Sequence, residues 1–138
     1  MGDRPPRGQA ARAAIEVPRE GAPARTRPAG SRKLRRVPRL LESEKPEISV
    51  LVNAAGFGLF GVFTEMDMDK QLDIIDLNDR ALTAMCHMSI PYMAAGSRIY
   101  NMGSMSSWQP VPYINVYGAT KAFVLSFSRA LNVELKNR

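Results

Sequence analysis

Ile48-Ser-Val-Leu-Val-Asn53 is the stretch whose reading decides the class of fold. It is a short, nearly continuous apolar run rich in β-branched residues, the pattern of a strand buried on both faces of a parallel sheet. A Gly/Ala-rich turn follows, Ala54 to Gly61. From about Asp67 to Pro91, Leu72, Ile75, Leu82, Met85 and Met88, with Ile74 beside them, fall at helical spacing, and Asp67 or Asp69 suits the first turn. Ser97-Arg-Ile-Tyr-Asn-Met102 reads as a second short strand. Beyond a polar loop and Pro110/Pro112, residues from Tyr113 to Asn137 predict a second helix with Phe123, Phe127, Leu131 and Leu135 on one stripe. Upstream, Arg39-Leu-Leu-Glu-Ser-Glu-Lys45 reads as the end of a helix stopped by Pro46. Strand–helix–strand–helix is the repeat of an α/β fold, with a right-handed crossover expected.

The charge is divided unevenly. Residues 1–41 carry a net +8, so the remainder of this +6 chain carries −2. The pI of 9.9 therefore belongs to the first part, and the acidic globular part gives no support for a nucleic-acid surface. Residues 1–38 are rich in Arg, Pro, Ala and Gly, and six prolines interrupt any helix. Such a stretch is expected to be disordered, with residues 39–138 forming the folded domain. An out-of-frame reading of a GC-rich gene, a native disordered tail, or a targeting or binding arm would each explain it.

Cys86 is the sole cysteine and His87 the sole histidine, so neither an internal disulfide nor a Cys/His metal site is expected. Cys86 reads as a buried helix thiol. The methionines at 66, 68, 85, 88, 93, 102 and 105 read as core filler or pocket lining. Trp108 reads as either pocket lining or loop packing. No run approaches the length of a membrane span, and no secretory h-region is present, which makes a cytoplasmic location the expectation.

Gly56-Phe-Gly58-Leu-Phe-Gly61 is literally G-x-G-x-x-G after a strand. A dinucleotide fingerprint needs a helix opening inside the motif and an acidic residue about 20 positions on, at a strand end. Here Val62-Phe-Thr-Glu-Met intervenes, and Asn78 and Asp79 lie in mid-helix. Tyr117-Gly-Ala-Thr-Lys121 is more informative. It places a phenol and an ammonium on one helix face, and a cation held nearby favours the phenolate. Ser104, thirteen residues before Tyr117, lies just past the second strand, where open α/β sheets bind ligands.

With these residues in place, Ile48–Arg138 resembles the short-chain dehydrogenase/reductase family. Asn53-Ala-Ala-Gly56 matches the family's N-[NA]-A-G turn, which lines the adenosine side of the cofactor. Asn78 stands where the family has a catalytic Asn that helps hold a water linking the lysine to solvent. Ser104, Tyr117 and Lys121 match the rest of the catalytic tetrad. Pro91 and the strand Arg98–Met102 fall in the family's register. The resemblance implies a partial Rossmann-like, doubly wound parallel sheet and hydride transfer between NAD or NADP and a small carbonyl or alcohol substrate. In that scheme Tyr117 is general acid or base, and Ser104 orients the substrate oxygen. Lys121 favours the phenolate and hydrogen-bonds the nicotinamide ribose. Asn53, Ala54, Ala55, Gly56, Tyr117 and Lys121 would contact the cofactor. Full-length relatives are expected to be homo-oligomers through the two helices.

Nothing in residues 1–45 resembles the family's T-G-x-x-x-G-x-G loop, and the substrate loop expected after the Tyr117 helix lies past Arg138. The chain therefore reads as a central segment, expected to be inactive alone. A non-catalytic remnant with a basic tail is the alternative.

Overall fold

The structure, a computed structural model, describes residues 34–136. The disorder expected of residues 1–38 thus falls mostly outside the described residues. At its edge the expectation needs correcting, because a helix already begins at Arg36. Helix α1 (Arg36–Glu44) accommodates Pro38 in its first turn, where the missing N–H would have had no helical partner. It ends at Lys45, whose left-handed backbone (φ 41°) lets its N–H cap the Leu41 carbonyl, with Pro46 directly after it. Val37 and Leu41 are buried against Met85, and Ile48, Leu51, Met88 and Tyr92 pack around them.

Strand β1 (Val50–Asn53) pairs in parallel with β2 (Arg98–Asn101), in the register Val50↔Arg98 through Asn53↔Asn101. Side chains alternate across a strand. Leu51 and Ile99 point into a second core, with Leu82, Cys86 and Val124 at its centre. Val50, Val52 and Tyr100 face the other way, each more than half exposed. The expectation of strands buried on both faces is therefore met on one face only.

The connection between the strands is helical almost throughout, but not as one uniform helix. Helix α2 (Met68–Ile75) opens on Asp67, whose carboxylate accepts the Lys70 N–H at 2.9 Å. A π-helical segment, Asp76–Ala81, follows and leads into α3 (Leu82–Ser89) and a single 3-10 turn, Ile90–Tyr92. One residue more per turn rotates the side chains that follow, and such insertions gather at functional sites. Here it falls on Asn78. Past β2 and a short 3-10 turn, Met105–Ser107, helix α4 (Asn115–Leu135) runs back along the sheet and packs on α2 and on the π segment.

Among the described residues no helix is long and apolar enough to cross a membrane, and no cluster of His, Cys, Asp or Glu could hold a metal ion. Met85 is core, whereas Met68, Met102 and Met105 are at least half exposed. For those three the core-filler expectation does not hold.

Candidate active site

The site is assembled at the carboxyl ends of the two strands. Asn53 and Asn101, the last residues of β1 and β2, face each other. The Asn53 amide donates to Asn101 Oδ1 at 2.8 Å and to the Cys86 sulfur at 3.3 Å, and Asn101 donates in turn to Ser128 Oγ on α4 at 2.9 Å. Asn53 thus spends its side chain bracing the sheet, leaving Ala54, Ala55 and Gly56 as the exposed part of the turn. Cys86 is buried as expected. Burial pushes its thiol pKa up, against the opposing effect of its hydrogen bonds to Asn101 Oδ1 and from the Asn53 amide, so it is an inert structural thiol.

Asn78 is 1% exposed and holds the turn after β1 from behind. Its Oδ1 accepts the Phe57 N–H at 3.1 Å, and its Nδ2 donates to the Phe57 carbonyl at 3.0 Å and to Thr120 Oγ1 at 2.9 Å. Thr120 Oγ1 donates to the Tyr117 carbonyl at 2.8 Å. Both protons of the Asn78 amide are therefore committed to the protein. The water-holding task that the family resemblance implies for Asn78 would have to use another atom.

Tyr117 and Lys121 lie one turn apart on α4, as their spacing predicts. Lys121 is buried, and its Nζ donates to the Met102 carbonyl at 2.7 Å while standing 5.6 Å from the centroid of the Tyr117 ring. The strand-end carbonyl fixes the ammonium beside the phenol. Ser104 is held locally: its Oγ lies 2.8 Å from Ser106 Oγ and accepts the Ser106 N–H at 3.3 Å, and its own N–H donates to Ser107 Oγ at 3.1 Å. Ser104 thus sits in the same loop cluster, bonded to its neighbours rather than to Tyr117.

The glycines of the G-x-G-x-x-G stretch acquire a different meaning from the one the pattern suggests. No helix opens within Gly56–Gly61. A Cβ on Gly58 would lie 2.8 Å from two ring atoms of Tyr117 and 2.9 Å from its Cβ. A Cβ on Gly56 would meet Asn78 Oδ1 at 3.0 Å and Lys121 Nζ at 3.5 Å. These glycines let the backbone close on the tetrad positions. Trp108 lies under the Arg129 guanidinium, 4.7 Å from ring centroid to Cζ, which favours loop packing over pocket lining.

Two residues of this site were not singled out from sequence. Gln71, buried in α2, donates from Nε2 to the carbonyls of Phe63 and Met66, both at 3.2 Å, and holds the far end of the glycine loop. Asp79 has a buried Oδ1 without a hydrogen-bond partner, and burial raises its pKa to about 6 against the opposing charge of Lys121. An apolar-periodicity reading gives neither residue a signal, since both are polar side chains on a helix.

A family profile described as short chain dehydrogenase matches residues 7–138. The chain belongs to the short-chain dehydrogenase family. The match begins well ahead of Ile48, so the likeness to the family reaches into the arginine-rich stretch that the sequence reading had set apart. Hydroxysteroid dehydrogenase-like protein 1 of Gallus gallus is 37% identical over 98 residues, covering 67% of this chain and 29% of that protein. The very-long-chain 3-oxoacyl-CoA reductase of Anas platyrhynchos is 36% identical over 98 residues, 67% of this chain and 31% of its own length. In structure, the short-chain dehydrogenase from Sphingobium yanoikuyae in complex with NADPH aligns with a TM-score of 0.66 at 35% identity, covering 75% of this chain and 41% of that one. The chain thus spans about three-tenths of the length of these curated relatives. Over that span the fold is the α/β, Rossmann-like, parallel-sheet fragment expected from sequence.

Proposed function

We propose that this short-chain dehydrogenase chain carries the proton-transfer half of an NAD- or NADP-dependent oxidoreductase acting on a small carbonyl or alcohol substrate. The observation that carries the proposal is the Tyr117–Lys121 arrangement: a phenol beside an ammonium that a strand-end carbonyl holds in place. The residues present suit a nicotinamide dinucleotide. Ala54, Ala55 and Gly56 offer an exposed turn with no side chain beyond Cβ, against which a flat ring or sugar can lie, and Lys121 has ammonium protons beyond the one given to Met102. When bound, such a cofactor gives or takes the hydride.

The protein's part is position and proton. In reduction Tyr117 donates its phenolic proton to the carbonyl oxygen as the C=O π bond opens; in oxidation it takes the alcohol proton. The Lys121 ammonium favours the phenolate that reduction leaves behind. Ser104, whose hydroxyl oxygen accepts the Ser106 N–H and pairs with Ser106 Oγ, can turn its proton to the substrate oxygen when Ser106 Oγ donates to it. Asn78 keeps the Phe57 backbone, and with it Gly58, in place under Tyr117.

Tyr117→Phe separates this reading from the non-catalytic one. With NADH or NADPH and a simple ketone, turnover by the unchanged chain would overturn the expectation that this segment is inactive alone, and Tyr117→Phe should then lose about 100-fold or more in kcat. Both should quench or enhance cofactor fluorescence alike. A chain that shows neither turnover nor saturable cofactor binding is the non-catalytic form.

A further inference from the structure

Beside the Tyr117–Lys121 pair lies a carboxylate that the proposed proton transfer does not use. Asp79 follows Asn78 in the π segment, and that segment packs on α4. Its Oδ1 is buried without a hydrogen-bond partner, a costly state for a carboxylate unless a cation stands near. Lys121 is that cation. It is buried, and its ammonium gives one of its three protons to the Met102 carbonyl. Two contacts bring the π segment up to this ammonium. Asn78 Nδ2 donates at 2.9 Å to Thr120 Oγ1, directly before Lys121 in the chain. A Cβ on Gly56 would meet both Asn78 Oδ1 and Lys121 Nζ, at 3.0 and 3.5 Å. Among the described residues the only ion pair is Arg80–Asp76, at 3.2 Å, so Asp79 and Lys121 act on each other through space.

The helices packed against the π segment are α2, α3 and α4. They carry other titratable groups: Asp69, Lys70 and Asp73 on α2, Cys86 and His87 on α3, and Tyr117, Arg129 and Glu134 on α4. Of the charges on these helices only Lys121 opposes the effect of burial on Asp79, and burial wins, raising the carboxyl pKa from 3.8 to about 6. At neutral pH the carboxyl is therefore ionised. An ammonium alone favours the phenolate beside it. An ammonium with a carboxylate at its side favours it less, because the two charges oppose each other at the phenol oxygen. Burial of both groups limits screening by salt.

We infer that Asp79 is a positioning residue for the Tyr117–Lys121 pair: its carboxylate counterbalances the Lys121 ammonium and keeps the Tyr117 phenol protonated, ready to donate, to higher pH. Its bearing on catalysis rests on the reading of Tyr117 as the proton donor, so the test observes the phenol itself and needs no turnover. The full chain, labelled with carbon-13 at the tyrosine Cζ, has four such signals, and Tyr117→Phe assigns the one at issue. In Asp79→Asn the Tyr117 phenolate should form about 0.5–1 pH unit lower than in the unchanged chain. Asp76→Asn removes the same charge from the same segment, but from a carboxylate already paired with Arg80, and should move the midpoint less. An unmoved or higher midpoint in Asp79→Asn, or an equal shift in Asp76→Asn, overturns the inference. A second measurement keeps to mild conditions. Between about pH 4 and about pH 8 the Tyr117 signal of the unchanged chain should inflect near 6 as Asp79 ionises. The inflection should vanish in Asp79→Asn, where His87 is still present. No inflection, or one that survives the substitution, overturns the inference as well. An inactive chain whose Tyr117 follows Asp79 sinks only the proton-transfer reading; an active chain whose Tyr117 ignores Asp79 sinks only this inference.

Discussion

The two loops that leave the strands are held by opposite means. After β1, the backbone is fixed from a distance: Asn78, twenty-one residues away, takes both the N–H and the carbonyl of Phe57, Gln71 holds Phe63 and Met66, and Tyr113 accepts the Gly61 N–H at 2.8 Å. After β2, Ser104, Ser106 and Ser107 bond among themselves within one 3-10 turn. The difference teaches where the site is vulnerable. The first loop keeps its shape only if the helices beneath it are packed, so damage there spreads to Tyr117, whereas damage to the second stays local.

The largest effect should come from Asn78→Ala. It strips partners from the part-buried Phe57 N–H and carbonyl and removes a buried one from Thr120. Stability in urea should fall by about 2–4 kcal/mol, given about 1–3 kcal/mol for each buried group left unpaired and partial access of water to the Phe57 backbone. Asn78→Asp, which can still accept from Phe57 N–H but cannot donate at neutral pH, should fall between. If Asn78→Ala matched the unchanged chain, the loop after β1 would be as self-sufficient as the one after β2.

Gly58→Ala is next. With three Tyr117 atoms inside 3.0 Å of the new Cβ, the ring or the loop must move, and overpacking of this kind costs about 1–3 kcal/mol. Because the displaced group is the proposed proton donor, kcat should fall more steeply than stability does. Cofactor fluorescence titration should change little. Gly103→Ala is the matched control in the other loop, where the nearest approach to the new Cβ, Ser107 Oγ at 3.6 Å, is ordinary contact.

Most of the frame was legible in the sequence because it follows from local rules. The β-branched runs gave strands Val50–Asn53 and Arg98–Asn101, each trimmed at the ends, and the apolar spacing gave helices on both sides of β2. The spacing of Tyr117 and Lys121 carried directly onto α4. What the sequence hid is long-range or geometric. The π segment at Asn78 breaks the 3.6-residue period without a proline or glycine to announce it. The clamp between Asn78 and Phe57, and the Lys121 bond to the Met102 carbonyl, join residues about twenty apart and leave no periodic trace. The G-x-G-x-x-G string could be set apart from a phosphate loop by the residues around it, but the pattern could not say that its glycines approach a tyrosine and a lysine instead.

Asp79 sharpens the comparison through pH, since it neighbours the clamp residue and faces Lys121. Its folded pKa is raised from 3.8 to about 6, chiefly by burial. The sign follows: the stability it contributes when protonated is full below its unfolded value and is lost as pH rises through about 6. Asp79→Asn cannot ionise. Its urea midpoint should match the unchanged chain at low pH and exceed it increasingly toward neutrality, levelling off above the folded pKa. A difference that did not vary with pH would mean that Asp79 is solvated like a surface carboxylate.

Ser107→Ala probes the self-held loop and should have the smallest effect. It removes the partner of the Ser104 N–H, one bond at the start of a three-residue turn whose hydroxyls Ser104 and Ser106 still pair with each other. Loss of one such capping bond beside solvent costs about 0.5–1 kcal/mol. The urea midpoint should drop slightly, with cofactor titration unmoved and kcat lowered only as far as Ser104 loses its orientation. A fall in stability as large as that of Asn78→Ala would show that the serine turn supports α4 through the packing of Met105–Ser107 on that helix, and that the two loops are one unit after all.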